Sequence, residues 1–452
     1  MTDADGARPS RGLLSWIRRL FGPRRQPVGP SERDLARETV RQQIGVVRRA
    51  FDGQVAVEKG ESDDDADALF LHRPGHVLVH RDDRQGLDDF FREREGEFLG
   101  LGEADEDPET GLTLYRLPAR RDDQAVDIPR MLDELARSGR RGIATPDHIL
   151  YVTAVGRLCP ATEPELPPST GPVPPMSNAP GAGKDVRVSV VDTGWYAAAA
   201  ADTDTPWLAS DVGGDLEQVN PSAIHEYAGH GTFVSGIIRC VAPAAEIDVE
   251  GVLTNGGAVY EWEIVRQFRE AMRNRPHLIS ISAGTYTYDN QPLKAFEALA
   301  AVHGLGEKGE GPLVVAAAGN DTSTDPFWPA AFEWAVSVGA LDANGRLSDF
   351  SNYGETVDVY AHGRDLVNAF PTGTYVTHEA LTPAGQVREF TSGLAQWSGT
   401  SFSTPIVTGA IAAYMSEHGV SARDARDALF ASAAPKTDPT AGSIKAMGPP
   451  FV

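Results

Sequence analysis

Cysteine is scarce in this 452-residue chain, with only Cys159 and Cys240 present. Neither a disulfide framework nor a four-thiolate zinc centre can therefore be built, and at most one bridge is available. Long apolar runs are missing too: no stretch approaches the ~20 residues a membrane-spanning helix needs, which predicts no integral membrane segment. Positive charge is short. Lys and Arg number 41 against 64 Asp and Glu, a net charge of −23 at pH 7, whereas a broad grip on nucleic acid needs clustered positive charge facing phosphates. No internal repeat is visible. What is there is an ordinary globular composition, 41% hydrophobic and 23% charged, in a chain long enough for two or three domains. Its expected partner is a protein, a peptide or a small molecule.

The charge is uneven. Residues 1–50 hold 11 Lys/Arg and 5 Asp/Glu, and residues 1–65 read as a basic, flexible N-terminal tail. Within it Arg18-Arg19-Leu20-Phe21 superficially resembles a twin-arginine export signal, but Gly22-Pro23-Arg24-Arg25 follows where a signal needs roughly 7 to 15 apolar residues. The expectation is no signal peptide and a cytoplasmic location. Leu13, Ile17 and Leu20 at helical spacing would let a short basic stretch touch an acidic membrane surface or a partner. So short a helix is marginal in water, and a frayed solvated tail is the simpler reading.

Residues 66–156 read as a small α+β domain. His76–His80, Gly111–Leu117 and Ile149–Val152 have strand character and Gln85–Phe98 is broadly helical. A clearer helix starts at Asp127 as N-cap, with Pro129 in the first turn, Ile128, Met131, Leu132 and Leu135 on one face and Gly139 as the stop. Residues 157–184 form a proline-rich linker: 160–184 contain eight prolines and three glycines, a composition expected to stay extended and unpacked. From Asp185 the texture changes to short buried strands, Val186–Val191, Ile247–Val252, Leu278–Ser282, Leu313–Ala318 and Ala335–Ala340, with helical patterns at Val259–Arg273 and Leu293–Val302. The expected fold class is α/β, a doubly wound, mostly parallel sheet over 185–434 preceded by the small α+β domain. Site residues would lie at the carboxyl ends of strands. Residues 435–452 read as a C-terminal tail.

Three polar residues stand at the edges of apolar elements: Asp192 in Val190-Val191-Asp192-Thr193-Gly194, His230 in Gly229-His230-Gly231-Thr232-Phe233-Val234-Ser235-Gly236, and Ser401 in Gly399-Thr400-Ser401-Phe402-Ser403-Thr404-Pro405. Each is weak alone. Together they supply an orienting acid, a general base and a hydroxyl nucleophile, the division of labour that nucleophilic acyl transfer requires. Gly229 and Gly231 let the backbone turn tightly around the imidazole, and a hydroxyl at a helix N-terminus has N–H groups beside it that favour a developing oxyanion. Ala316-Ala317-Ala318-Gly319-Asn320 adds a side-chain amide just past a buried strand, a donor suited to a tetrahedral oxyanion.

The order Asp, His, Asn, Ser and these four strings resemble the subtilisin-like serine peptidases, the subtilases, over about residues 184–434. The resemblance implies that Asp192 orients His230, that His230 is general base and acid, that Ser401 is the nucleophile and that Asn320 donates to the oxyanion. Ser280-Ile281-Ser282-Ala283-Gly284 is similar to the family's extended substrate-binding strand. Gly319, Asp321 and the loop to Ala330 would border the primary specificity pocket, where the Asp321 carboxylate would mildly favour Lys or Arg. Residues 66–156 loosely resemble the family's prodomains, so the N-terminal domain is expected to act as an intramolecular inhibitor or folding aid, with the segment from Val152 onward laid along Ser280–Gly284. Ser235 and Phe402 stand where Ala and Met are common in the family, and residues 196–225 look longer and more acidic than usual. No cofactor is implied. Calcium is frequent among subtilases, yet no ligand spacing here identifies a metal site.

Rival chemistries fail on spacing. Asp192-Thr193-Gly194 matches an aspartic-peptidase half-site, but no second Asp-Thr/Ser-Gly occurs. His225 and His230 are five apart instead of the four a zincin helix uses. Ser401 lacks the Gly two residues on that a nucleophile elbow carries. The rival of a different class is a latent or non-catalytic protein that uses the same fold as a binding or regulatory scaffold.

Overall fold

The computed structural model describes residues 31–60, 62–152, 162–253, 256–306, 309–380 and 384–447. The basic stretch 11–25 and Cys159 lie outside the described residues; Cys240 is a buried free thiol.

The N-terminal unit consists of α1 (Glu32–Ala50), β1 (Ala56–Lys59), β2 (Ala68–His80), α2 (Arg84–Arg92), β3 (Glu103–Glu106), β4 (Leu112–Arg116), α3 (Ile128–Arg137) and β5 (Ala144–Tyr151). α3 starts as expected, its N-cap Asp127 accepting from the Arg130 N–H. α1 corrects the expected tail: the chain from Ser31 is a capped helix, the Ser31 hydroxyl and the Asp34 carboxylate reciprocating across its first turn. Val40, Ile44 and Val47 form its buried stripe against Ile149, Tyr151 and Ala258. Four of its arginines, Arg37, Arg41, Arg48 and Arg49, are ion-paired. Arg37 pairs with Asp64 and Asp67, and Arg41 with Asp64, so the segment 62–67 is bound to the helix.

The strands of this unit pair antiparallel in the order β3-β4-β2-β5, with β1 on the far part of β2. α2 and α3 bury Leu87, Phe90, Phe91, Met131, Leu132 and Leu135 against one face of the sheet. Leu78, Leu112 and Leu150 on the other face join a core shared with the following domain.

That domain contains β6 (Arg187–Asp192), β7 (Val212–Gly214), α4 (His230–Val241), β8 (Glu246–Gly251), β9 (Ala258–Tyr260), α5 (Glu261–Arg273), β10 (Leu278–Ile281), α6 (Lys294–His303), β11 (Leu313–Ala317), β12 (Val336–Leu341) and β13 (Val359–His362). It continues through β14 (Leu366–Ala369), β15 (Gly373–Val376), β16 (Val387–Phe390), β17 (Leu394–Trp397), α7 (Thr400–His418), α8 (Ala422–Ser432), β18 (Ala434–Asp438) and β19 (Gly442–Ala446). Its main sheet runs β18-β19-β13-β12-β11-β10-β6-β8-β7 and is parallel except for the β18/β19 hairpin. Alternate residues point to opposite faces: Val188 and Val190 pack under α4 and α7, while Val191, Ile279 and Ile281 pack under α5 and α6. Burial on both faces explains why these strands read as unbroken apolar runs. Because β8 and β10 flank β6 on opposite sides, Asp192 sits at the crevice where strand order reverses.

Two further expectations are corrected. The described part of the C-terminal tail, up to residue 447, carries the β18/β19 hairpin, whose Ala446 pairs with Tyr360 of β13 and whose Ile444 is buried beside Leu341. From Thr162 on, the proline-rich linker is extended but packed, because non-proline residues supply ladder donors: Glu165 N–H bonds to Gln396 O and Val173 N–H to Val367 O, each at 2.8 Å.

The N-terminal sheet does not end at β5. β9 adds to it antiparallel, Ile149 opposite Tyr260 and Tyr151 opposite Ala258, so the sheet crosses from one unit into the other. Ionisable groups are sealed into this seam. Asp147 accepts from Trp262 N–H at 2.9 Å, Glu261 from Ala295 N–H at 2.9 Å, and His148 Nδ1 donates to Glu261 at 3.0 Å while its Nε2 accepts from Tyr288 N–H. Gln43 of α1 donates to the buried Glu379 at 2.9 Å. Burial pushes the Asp147, Glu261 and Glu379 carboxyls each up to about 8, and pushes the His148 imidazole down to about 3.

Candidate active site

The strand β6 delivers Asp192 to its carboxyl end, and α4 opens on His230. The imidazole Nδ1 donates to Asp192 Oδ1 at 2.7 Å, with Oδ2 at 3.0 Å. Both groups are buried. Fixing the proton on Nδ1 leaves the lone pair on Nε2, the tautomer a general base needs. Two glycines make the approach. Gly229 has φ 76°, and a Cβ there would lie 2.3 Å from the Pro371 ring; a Cβ on Gly231 would lie 2.6 Å from Gly194 O. Trp397 and Phe402 wall the imidazole at ring distances of 5.4 and 5.2 Å.

Ser401 is the second residue of α7 and is buried. Its hydroxyl donates to Ser282 O at 3.2 Å, and Ser282 Oγ donates to Ser401 O at 2.9 Å. Past the end of β11, Asn320 Oδ1 accepts from Thr400 N–H at 2.8 Å and from Thr400 Oγ1 at 2.9 Å, which turns its amide nitrogen away from the helix. Asp192, His230, Asn320, Ser282 and Ser401 therefore converge at the carboxyl ends of β6, β11 and β10 and the N-termini of α4 and α7.

The expected substrate strand is corrected at its start. Ser280 and Ile281 lie inside β10, hydrogen-bonded in ladders to β6 on one side and β11 on the other, so no backbone edge is left there for a peptide. Ser282, Ala283 and Gly284 follow the strand's end, and Gly284 does carry a partner: Tyr151 N–H donates to Gly284 O at 3.0 Å and Gly284 N–H to Tyr151 O at 3.1 Å. Val152 N–H donates to Gly257 O at 2.9 Å. The described chain resumes at Thr162, whose carbonyl accepts from Trp397 Nε1–H and whose hydroxyl accepts from Ser398 N–H at 3.2 Å.

Gly319 and Asp321 flank Asn320. Asp321 is not an open carboxylate: it is 5% exposed and accepts from the Tyr286 hydroxyl at 2.9 Å. It borders a cavity of about 810 Å³ between the two units, also lined by Phe70, Leu132, Arg137 and Tyr288. Sequence reasoning missed three residues here. Asn352 ties the segment together, accepting from Asp321 and Ser323 N–H and donating to Ala318 O and the Tyr286 hydroxyl. The Phe327 ring fills the space between Gly284 and Gly319, 2.3 and 3.1 Å from where their Cβ atoms would be. Glu217, in the acidic stretch before His230, accepts from Gly229 N–H at 2.9 Å. Only the unusual acidity of residues 196–225 pointed towards it. Among the described residues no group of three or more His, Cys, Asp or Glu stands together as a metal centre, and no helix is long and apolar enough to cross a membrane.

The model of the subtilase family matches residues 183–448. The chain belongs to the subtilase family. This member is a subtilisin-like serine peptidase, 33% identical over 258 residues to thermitase of Thermoactinomyces vulgaris, a match covering 55% of this chain and 80% of thermitase. It is 30% identical over 251 residues to the major intracellular serine protease of Bacillus subtilis strain 168, covering 51% of this chain and 68% of that one. Fervidolysin from Fervidobacterium pennivorans, a keratinolytic enzyme related to subtilisin, shares the fold with a TM-score of 0.54 at 18% identity, over 84% of this chain and 60% of its own.

Proposed function

We propose that this subtilase is an endopeptidase of proteins or peptides that works through an acyl-enzyme on Ser401 and is held latent by its own N-terminal unit. His230 Nε2 takes the Ser401 proton as the hydroxyl attacks the scissile carbonyl, then returns it to the leaving amine. Asp192 holds the imidazole in that tautomer and stabilises the imidazolium. The Asn320 amide, steered by Thr400, donates to the developing oxyanion. Ser282, Ala283 and Gly284 on one side and Gly257 on the other offer backbone groups to an extended peptide, which adds as a strand. Gly319, Asp321 and Phe327 border the side chain preceding the cleaved bond. No cofactor enters the scheme.

The observation that carries this reading is the buried Nδ1–H···Oδ1 bond of 2.7 Å between His230 and Asp192, with the Phe402 ring, next in sequence to Ser401 at the N-terminus of α7, packed against the imidazole. Labelling of Ser401 by a serine-directed fluorophosphonate, lost in Ser401→Ala, tests it; equal labelling of both overturns it.

Latency is supported by Tyr151 and Val152, whose backbones pair with the Gly284 and Gly257 groups proposed above for a substrate, and by the return of the chain at Thr162 beside Ser398. Residues 153–161 thus connect two anchors flanking the Ser401 motif, and the first cut is expected there. The names of the intracellular relatives support a cytoplasmic site of action, where a covered cleft protects the cell's own proteins.

A further inference from the structure

Behind the Asp192–His230 pair lies a second carboxylate that the mechanism above does not use. Glu217 has a side chain only 5% exposed. Its backbone is pinned to the end of β6, Glu217 N–H donating to Trp195 O at 3.0 Å and Leu216 bridging Trp195. Its carboxylate in turn accepts from the N–H of Gly229, the residue before His230. On the other side of the histidine, Gly231 N–H donates to Thr193 Oγ1 at 3.1 Å, and Thr193 N–H donates to Asp192 Oδ1 at 2.8 Å. One residue further on, Thr232 Oγ1 accepts from Tyr196 N–H at 2.8 Å. The residues on either side of His230 are thus each tied by an amide hydrogen to the segment that carries Asp192, and Glu217 makes the tie on the N-terminal side.

We propose that Glu217 is a positioning residue for the catalytic base, fastening the Gly229 turn so that His230 stays aligned between Asp192 and Ser401. The proposal rests on the peptidase reading above. Misplacement of a reacting group by about 1 Å costs on the order of 100-fold in rate, and the left-handed Gly229 and Tyr227, at φ 76° and 63°, make this turn a conformation that needs external ties.

The environment says in which form Glu217 acts. Burial, opposed by the Gly229 hydrogen bond and reinforced by the nearby Asp192 charge, pushes its carboxyl up to about 8, so it is largely neutral at pH 7. Asp192 then remains the negative charge that faces the imidazolium. The other titratable group facing it is His225, whose Nε2 lies 3.9 Å from Glu217 Oε1; neither atom has a hydrogen-bond partner among the described residues. A glutamine reproduces the neutral carboxyl and keeps an oxygen for Gly229 N–H. An alanine keeps neither.

The test uses the full chain, activated identically for each variant, with kcat expressed per fluorophosphonate-labelled Ser401 so that misfolded molecules do not count. Glu217→Ala is expected to lower kcat about 10- to 100-fold with KM within about twofold, and Glu217→Gln to restore kcat to within about threefold. Glu217→Ala with parental kcat per labelled site overturns the proposal, as does Glu217→Gln no better than Glu217→Ala. Absence of labelling in the parent would instead overturn the peptidase reading itself.

Discussion

Tyr151 and Gly284 exchange both of their backbone hydrogen bonds, at 3.0 and 3.1 Å. One residue comes from the last strand of the N-terminal unit and the other from the segment that leaves β10 beside Ser282, so the N-terminal unit reaches the candidate site as an added strand and not as a loose cover.

The neighbouring contact gives a test of latency. Val152 donates its N–H to Gly257 O, and proline has no N–H to donate. Losing one such bond is worth about 0.5–1.5 kcal/mol, so Val152→Pro in the intact chain should raise the rate of fluorophosphonate labelling of Ser401 by roughly 2- to 10-fold. An unchanged rate would show that this strand does not limit access.

Docking of the N-terminal unit should weaken as pH rises. Asp147, Glu261 and Glu379 have ordinary values of 3.8, 4.5 and 4.5 and are each pushed up to about 8 when docked, so the docked state holds more protons than the separated one and loses stability until about pH 8. His148, pushed down from 6.5 to about 3, opposes docking only when it gains a proton below its ordinary 6.5. Between pH 6.5 and 8 the carboxyls therefore act alone. In a Ser401→Ala chain cut between 153 and 161 at an inserted protease site, the dissociation constant of the two pieces should rise at least about tenfold over that window. Asp147→Asn or Glu379→Gln should flatten the rise; sedimentation across the pH range measures both.

Asn320→Ala should leave folding intact and lower kcat by ~100 to 1000-fold, since an oxyanion donor acts mainly in the transition state. A loss confined to KM would assign Asn320 to substrate binding instead.

Phe327 occupies the space between Gly284 and Gly319, so small residues should be preferred before the cleaved bond. Phe327→Ala should improve cleavage after Leu or Phe by roughly 10- to 200-fold in kcat/KM. With Asp321 engaged by the Tyr286 hydroxyl, Asp321→Asn should alter the Lys/Arg preference little in the parent. Peptide-library profiling of the three proteins decides both points.

The residues proposed for catalysis stand out in the sequence because each sits in a short string fixed by local geometry: glycines where His230 approaches Asp192, a buried strand before Asn320, a helix start at Ser401. The sheet was legible because doubly covered parallel strands are apolar throughout. α1 was hidden in a segment whose basic composition suggested a solvated tail, although Ser31, Asp34, Val40, Ile44 and Val47 carry a capped, amphipathic pattern; its Arg37 and Arg41 are balanced by Asp64 and Asp67 some 23 to 30 residues away, a pairing that periodicity does not reveal. Ser280 and Ile281 looked like substrate contacts because motif likeness does not show which strand edges are already paired. Phe327 and Asn352 act through tertiary neighbours and no local pattern marks them, while Glu217 is marked only by the acidity of the stretch it lies in.

The most direct test of a Ser401 peptidase latched by its own strand is the intact mass of the purified chain after incubation at pH 8. Wild type is expected to convert from 48.4 kDa into two pieces joined at a cut between residues 153 and 161, while Ser401→Ala stays whole. The same cut in both proteins, or none in either, would contradict the account.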